Sequence, residues 1–185
     1  MANKYKKVSF VLRKELLIIV GVIAALILAT ILLTLPTKSE KLLAKWSAAS
    51  SNIQSVEMFE ELSESDLEKL LKKENKVFVL FVSDQDANSI SLVETVYNSL
   101  STYDVKKVYI LDATDYLGDR KLDAELDTKL KSLEAKFVGL NISEAPTFWF
   151  FYDGKIDQQM NIDLVKEQSY SYTEAVKDIL VYSAK

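Results

Sequence analysis

The stretch Glu144-Ala-Pro-Thr-Phe-Trp-Phe-Phe-Tyr-Asp-Gly-Lys155 determines how the rest of the chain is interpreted. Apolar and aromatic residues dominate 147–152, as expected for a strand buried on both faces. Asp153-Gly154 is a strong hairpin signal because glycine tolerates a positive φ. The bond before Pro146 is a place where a cis peptide can occur. The stretch therefore predicts a turn at Pro146, a buried strand over Thr147–Tyr152, a tight turn and a return strand.

The residues upstream of this hairpin alternate between strand and helix patterns. Val77–Val82 is a continuous β-branched and aromatic run, typical of a central strand in a parallel sheet. Shorter strands are predicted near Val56–Phe59 and over Val105–Leu111, and apolar stripes predict helices between and after the strands. One stripe, formed by Leu122, Leu126, Leu130 and Leu133, predicts a helix between the third strand and the hairpin. Parallel crossovers followed by an antiparallel hairpin predict an α/β domain, with a mixed central sheet flanked by helices.

Two capping boxes predict where helices begin. Ser65 with Glu68 marks the first helix of the domain, and Ser171 with Glu174 marks the last. In each pair the serine accepts from a backbone N–H, and the glutamate reaches back to the start of the helix.

The composition narrows the range of functions. The chain has 185 residues, a formal net charge of -4, no cysteine and no histidine. It therefore has no thiol for redox or nucleophilic chemistry and no imidazole for Ser-His catalysis or metal binding. The mild acidity, without a basic stripe, argues against a nucleic-acid partner. We predict no catalytic residues, no cofactor and no metal site.

The N-terminal segment predicts a membrane anchor. Residues 1–15 are basic, and Leu16–Leu35 is an uncharged, mostly apolar run whose only polar side chains are Thr30 and Thr34. A run of about 20 such residues has the length needed to cross a bilayer as a helix. The basic flank predicts a cytoplasmic N terminus and an extracytoplasmic domain. A cleaved signal peptide is the alternative, but the small-residue run 47–51 comes late for a cleavage site.

Residues 36–55 are predicted to be a juxtamembrane tether between the anchor and a domain of residues 56–185. Leu42, Leu43 and Trp46 stand at helical spacing within it. This pattern fits a short interfacial helix with Trp46 near the lipid headgroups. A plain tether that lifts the domain off the bilayer fits equally well.

The chain resembles the thioredoxin-like superfamily in Phe78–Ser89, in Phe137–Pro146 and in the hairpin through Lys155. It is similar to membrane-tethered thioredoxin-like and bacteriocin-transport-accessory proteins of Gram-positive bacteria. The resemblance implies a thioredoxin-like fold with a cis-proline at Pro146. It aligns the family's Cys-x-x-Cys with Asp86-Ala87-Asn88-Ser89, and the family's buried acid with Leu80. Disulfide exchange needs a thiolate, so these residues cannot carry out the family's redox reaction.

The resemblance also implies a binding surface that does not need cysteine. In redox-active relatives the residue before the cis-proline, here Ala145, pairs through its backbone with an extended peptide. We therefore expect an anchored accessory or chaperone-like subunit that binds membrane lipid through its N-terminal helix. Its partner would be a secreted peptide or a neighbouring membrane protein. A structural spacer in a membrane complex is the alternative, and Asp86 would then be only a helix cap. An enzyme without thiols is a third hypothesis.

Two acidic patterns resemble parts of metal sites. Asp84-Gln-Asp86-Ala-Asn88 is similar to the start of a calcium loop. Ser89 stands where the loop needs glycine, however, and the bidentate position is Thr95. The acids at 112, 115 and 119 form a second cluster that fits a surface loop. Neither pattern predicts a metal site.

Overall fold

A computed structural model describes residues 14–114, 131–132, 134–135, 145–160, 165, 167 and 170–184, without the side chains of residues 15, 32 and 33. The chain divides into two compact units, Met1–Thr37 and Lys38–Lys185. The predicted helix around Leu122–Leu133, the segment before Ala145 and the acids at 115 and 119 lie largely or wholly outside the described residues.

The first unit contains one helix, α1, over Lys14–Thr34. The Thr30 hydroxyl donates to the carbonyl of Leu26 at 2.8 Å, so this polar side chain is satisfied within the helix. The apolar side chains of α1 that the structure describes are exposed; Leu26, for example, is 62% accessible. Over the residues that the structure describes, no helix combines the length and the hydropathy that a membrane crossing requires.

The second unit is built on a five-stranded mixed sheet with the strand order β1-β3-β2-β4-β5. Strands β1, β2 and β3 are parallel, whereas β4 is antiparallel to both β2 and β5. The strands are β1 Phe59–Leu62, β2 Lys76–Val82, β3 Val108–Asp112, β4 Thr147–Tyr152 and β5 Lys155–Gln159. The helices are α2 Lys38–Ala49, α3 Glu64–Leu71, α4 Ala87–Leu100 and α5 Tyr172–Ser183.

The core lies on both faces of this sheet. Side chains of β2 alternate between the two faces, so that Leu80 packs in one cluster and Phe81 in the other, each fully buried. Helices α2, α4 and α5 contribute to the cluster that contains Leu80, and α3 contributes to the cluster that contains Phe81. The prediction of a mixed sheet with helices on both faces is confirmed.

The β4–β5 hairpin also agrees with the prediction. Asp153 and Gly154 have φ values of 50° and 75°, in the left-handed region that a tight two-residue turn requires. The Asp153 N–H donates to the carbonyl of Asn75 at 2.8 Å, which ties the turn to the loop before β2. The Ala145–Pro146 peptide bond is cis, as the resemblance implied.

Three local predictions need correction. Strand β1 begins at Phe59, where the prediction had it end, and β3 begins three residues later than predicted. The capping box at Ser65 is wrong, because Ser63 is the extended residue before α3 and Ser65 lies inside the helix. The Ser63 hydroxyl donates to the Asp66 side chain at 2.6 Å and makes no capping bond to a backbone N–H of the helix.

Residues 38–49 belong to the domain rather than to a tether. They form α2, in which Leu42 and Trp46 are 4% and 1% exposed and pack in the cluster around Leu80. The apolar stripe seen in the sequence therefore faces protein. Trp46 lies in the domain core and not among lipid headgroups.

Candidate functional site

The candidate site lies where β2 and β3 end and β4 begins. The Ala113 N–H donates to the Val82 carbonyl at 2.9 Å, so the loops after β2 and β3 leave the sheet side by side. Thr147 pairs with Phe81, which places Pro146 beside the end of β2. We call the group formed by 83–89, 112–114 and 145–146 the cis-proline edge.

The four residues aligned with the Cys-x-x-Cys form the start of α4. Asp86 is the N-cap, and its Oδ2 accepts from the Ser89 N–H at 2.6 Å. Ala87 and Asn88 are exposed in the first turn. Ser89 is 0% exposed, and its hydroxyl has no hydrogen-bond partner among the described residues. Asp86 thus acts as an ordinary cap, and Ser89, which aligns with the second cysteine of the motif, is closed to solvent.

Helix α5 begins close to the start of α4. Its capping box is present as predicted: the Ser171 hydroxyl accepts from the Glu174 N–H at 3.2 Å, and the Glu174 carboxylate accepts from the Ser171 N–H at 3.0 Å. Burial raises the pKa of Tyr172, and the nearby negative charge of Asp86 raises it further. Acidic side chains of the chain itself therefore bond to the first turns of both helices, where an anion would otherwise bind.

Lys45 of α2 reaches this edge, which the sequence did not predict. Its Nζ lies 2.8 Å from Asp112 Oδ2 and 3.5 Å from Asp84 Oδ1. Burial would lower the pKa of Lys45, but the hydrogen bond and charge of Asp112 raise it overall. Burial would likewise raise the pKa of Asp112, yet the bonds from Lys45 and Thr114 lower it. One cation thus connects the end of β3 with the loop that follows β2.

A second, uncharged connection runs beside this ion pair. The Thr114 hydroxyl donates to Asp112 Oδ1 at 2.5 Å, so it can only accept from the Ser83 hydroxyl, which lies 2.8 Å away. Ser83 Oγ also accepts from the Gln85 N–H at 3.2 Å. The short spacings Ser83-x-Gln85 and Asp112-x-Thr114 are typical of local side-chain turns and could have been found in the sequence. The link from Lys45 could not, because 67 residues separate it from Asp112.

These contacts limit the chemistry of the edge. Ser83 is 1% exposed, so its hydroxyl is closed to a substrate. The two acids of the calcium-like pattern have other partners, because Asp84 pairs with Lys45 and Asp86 caps α4. Within the described ranges there is no group of three or more side chains of the types that could hold a metal ion. Leu80, at the position of the family's buried acid, is fully buried and cannot move a proton.

Comparison with known proteins finds likeness only among solved structures. No protein-family model matches the chain, and no curated protein matches its sequence. A putative oxidoreductase with a thioredoxin fold is 18% identical and matches 61% of this chain and 95% of its own, with a TM-score of 0.42. Mitochondrial thioredoxin 3 of Saccharomyces cerevisiae is 12% identical, with coverages of 67% and 95% and a TM-score of 0.40. Thioredoxin O2 of Arabidopsis thaliana is 18% identical, with coverages of 61% and 90% and a TM-score of 0.40.

These likenesses are too low to carry an argument about function. The fold follows from the geometry of the chain itself: a mixed sheet flanked by helices, a central strand that runs into the capped start of α4, and a cis-proline before the hairpin. The second unit is a mixed α/β domain with a thioredoxin-like fold.

Proposed function

We propose that this chain is a membrane-anchored, extracytoplasmic thioredoxin-like protein without redox activity. It binds an extended segment of a secreted peptide or of a neighbouring membrane protein, as an accessory subunit. The observation that carries the proposal is Ala145 beside cis-Pro146, next to a helix start that has lost its thiols.

The binding mode needs no reactive side chain. Among the described residues, no backbone hydrogen bond outside the strands involves Ala145. Its side chain packs against the cluster around Phe81, so the residue is held in place while remaining partly exposed. An extended segment can pair with such a backbone by strand addition, which is largely independent of side-chain identity.

The proposal that the protein has no redox activity depends on the side chains that the chain lacks. The sequence contains no cysteine, and thiol–disulfide exchange proceeds only through a thiolate. Asp86 and Ser89 stand at the aligned positions, one bonded as a cap and the other buried. We therefore propose a role in binding rather than catalysis.

The anchor is the run Leu16–Leu35. At 1.5 Å per residue, about 20 helical residues span roughly 30 Å, the thickness of a bilayer's hydrocarbon core. The apolar side chains of α1 that the structure describes are exposed, as contact with lipid would require. This part of the proposal depends on the complete run in the sequence, including leucines whose side chains are not described.

Fractionation of the full-length chain tests the anchor. We expect it to stay in the membrane pellet after alkaline carbonate extraction, and the domain to be digested by protease added from outside intact cells. Release by carbonate, or protection of the domain in intact cells, would contradict the anchor and its orientation respectively.

Photo-crosslinking in native membranes tests the binding edge. A photoreactive amino acid at Ala145 should give a discrete adduct, whose crosslinked peptide comes from one extended segment of one partner. Lys155, exposed at the far end of the same hairpin, is the matched control position and should not give that adduct. The same adducts at both positions, or none at Ala145, would exclude this edge as the binding surface.

A structural spacer in a membrane complex is the second candidate. It is favoured by the ordinary capping role of Asp86 and by two exposed aromatic side chains, Tyr152 and Tyr182, which are 50% and 44% accessible. These two tyrosines line one groove of about 420 Å³ near the end of α5, far along the sheet from Pro146. Adducts from Tyr182 but not from Ala145 would favour the spacer.

A further inference from the structure

Helix α2 joins several segments of the domain through its side chains. Trp46, which is 1% exposed, enters the core, and the residues just after the helix contact α4. There the Ser50 hydroxyl donates to Glu94, and Asn52 Nδ2 donates to the same carboxylate at 3.3 Å. Lys45 extends in another direction, to the cis-proline edge. Because one helix makes both sets of contacts, a displacement of α2 would alter the edge as well as the core.

At the edge, Lys45 separates two carboxylates that would otherwise face each other. The distances from its Nζ to Asp112 and Asp84 add up to 6.3 Å, so the two bonded oxygens lie no farther apart than that. Within the described part of the chain, Lys45 is the only cation within ion-pair distance of either acid. Removal of its charge would leave two like charges close together in a half-buried setting, where repulsion pushes the loops apart.

Among the described residues, a further direct side-chain connection joins the two loops and would remain if Lys45 were lost. The Ser83–Thr114 hydroxyl bond joins the same loops, and Ser83 is 1% exposed. A hydroxyl–hydroxyl bond is weaker than a charge-assisted bond. We therefore expect the turn to stay formed without Lys45 but to open more often.

We propose that Lys45 is a latch that holds the Ser83–Asp86 turn closed, so that the docking of α2 controls how often the cis-proline edge opens. A partner or a displacement that draws Lys45 away from Asp84 and Asp112 would open the turn without unfolding the core. This property belongs to the domain alone and does not depend on the proposed peptide partner.

The absence of native cysteine gives a direct test. Ser83→Cys places one buried thiol in the turn of the full-length protein and weakens the Ser83–Thr114 bond equally in every variant. Differences in its labelling by a maleimide under native conditions therefore report how often the turn opens with and without the Lys45 charge. Adding Lys45→Met, which keeps the length of the side chain without its charge, should speed labelling roughly two- to fivefold, as expected for a partly exposed ion pair. Lys45→Arg should restore slow labelling. Lys41→Met, an exposed lysine on the same helix, should leave the rate unchanged.

A second reporter separates local opening from loss of stability. Ser183→Cys puts a thiol at another buried serine, 8% exposed, near the C-terminal end of α5. If Lys45→Met speeds labelling at position 83 and not at 183, Lys45 is the latch. Equal acceleration at both positions would show that Lys45 supports the whole fold, and no acceleration at 83 would show that it does not hold the turn; either result overturns the proposal.

Discussion

The β4–β5 hairpin and helix α2 are attached to the same sheet by different kinds of contact. The hairpin is part of the backbone ladder: β4 pairs with β2 over six residues, and the turn donates a backbone N–H to Asn75. Helix α2 is attached through side chains, above all by Trp46 in the core and Lys45 at the cis-proline edge. The attachment of the hairpin is thus spread over many backbone bonds, whereas that of α2 depends on a few side chains.

Removal of the Trp46 side chain should have the largest effect on the stability of the domain. Trp46→Ala takes a 1%-exposed side chain out of the core, and such truncations cost about 3–5 kcal/mol. Urea unfolding of the full-length chain, followed by far-UV circular dichroism, measures the loss. The matched control is Lys41→Ala on the exposed side of α2. A loss below about 1 kcal/mol for Trp46→Ala would mean that α2 is not part of the core in solution.

The backbone of the hairpin should be most sensitive to substitution at its turn. Gly154 has a φ of 75°, and a Cβ added there would lie 3.2 Å from the Leu71 carbonyl oxygen. Gly154→Ala should therefore cost about 1–2 kcal/mol, since an L-residue in the left-handed region is strained. Lys155→Ala, one residue further on, serves as the control in the same urea titration. If the two variants are equally stable, the turn does not adopt this conformation.

Loss of the Asp86 cap should cost less than either change. Asp86→Ala removes the acceptor for the Ser89 N–H and should destabilise the domain by about 1 kcal/mol. Asp86→Asn should retain most of the stability, because the amide oxygen can still cap. Ser171→Ala at the start of α5 provides the comparison. A negligible loss for Asp86→Ala would show that the carboxylate has another role at this edge.

The same difference in attachment explains what the sequence could and could not predict. The hairpin, the strand Val77–Val82 and the cap at Ser171 depend on neighbours in the chain, and each is predicted close to its observed position. The cap at Asp86 is one of the two interpretations that the sequence offers for that residue. The apolar stripe of α2 is evident in the sequence, but the stripe alone does not show whether lipid or protein covers it. Lys45 gave no signal at all, because the two acids that it contacts are brought together only by the packed sheet.

The ion pair at the edge should give a pH dependence smaller than these mutational effects. The pKa of Asp112 is lowered in the folded state, so its contribution to stability is present above the unfolded pKa of about 4 and lost as pH falls through the folded pKa. Lys45, with its raised pKa, contributes below its unfolded pKa of about 10.5 and loses that contribution at higher pH. Glu61 and Asp84 also face Lys45 and add to its charge environment.

Comparison of the wild type with Lys45→Met at several pH values isolates this contribution. Between about pH 5 and pH 9 the difference in unfolding free energy should be constant and below about 1 kcal/mol, because both groups are partly exposed. It should shrink towards zero as the pH falls below about 4, where Asp112 becomes protonated. A difference that persists at low pH would come from lost packing of the lysine stem rather than from its charge.

Ser89→Ala should have the smallest effect, and it is the most informative change at the four residues that align with the Cys-x-x-Cys. The Ser89 hydroxyl is buried with no partner among the described residues, so its removal relieves an unsatisfied polar group and places a better helix former in α4. We expect stability unchanged or raised by up to about 1 kcal/mol. Ser183→Ala is the matched control, because that buried hydroxyl donates to the Leu180 carbonyl at 2.8 Å and its loss should be destabilising. If Ser89→Ala is instead the costlier of the two, the hydroxyl is bonded in solution, and a residue or water inside the cis-proline edge holds it.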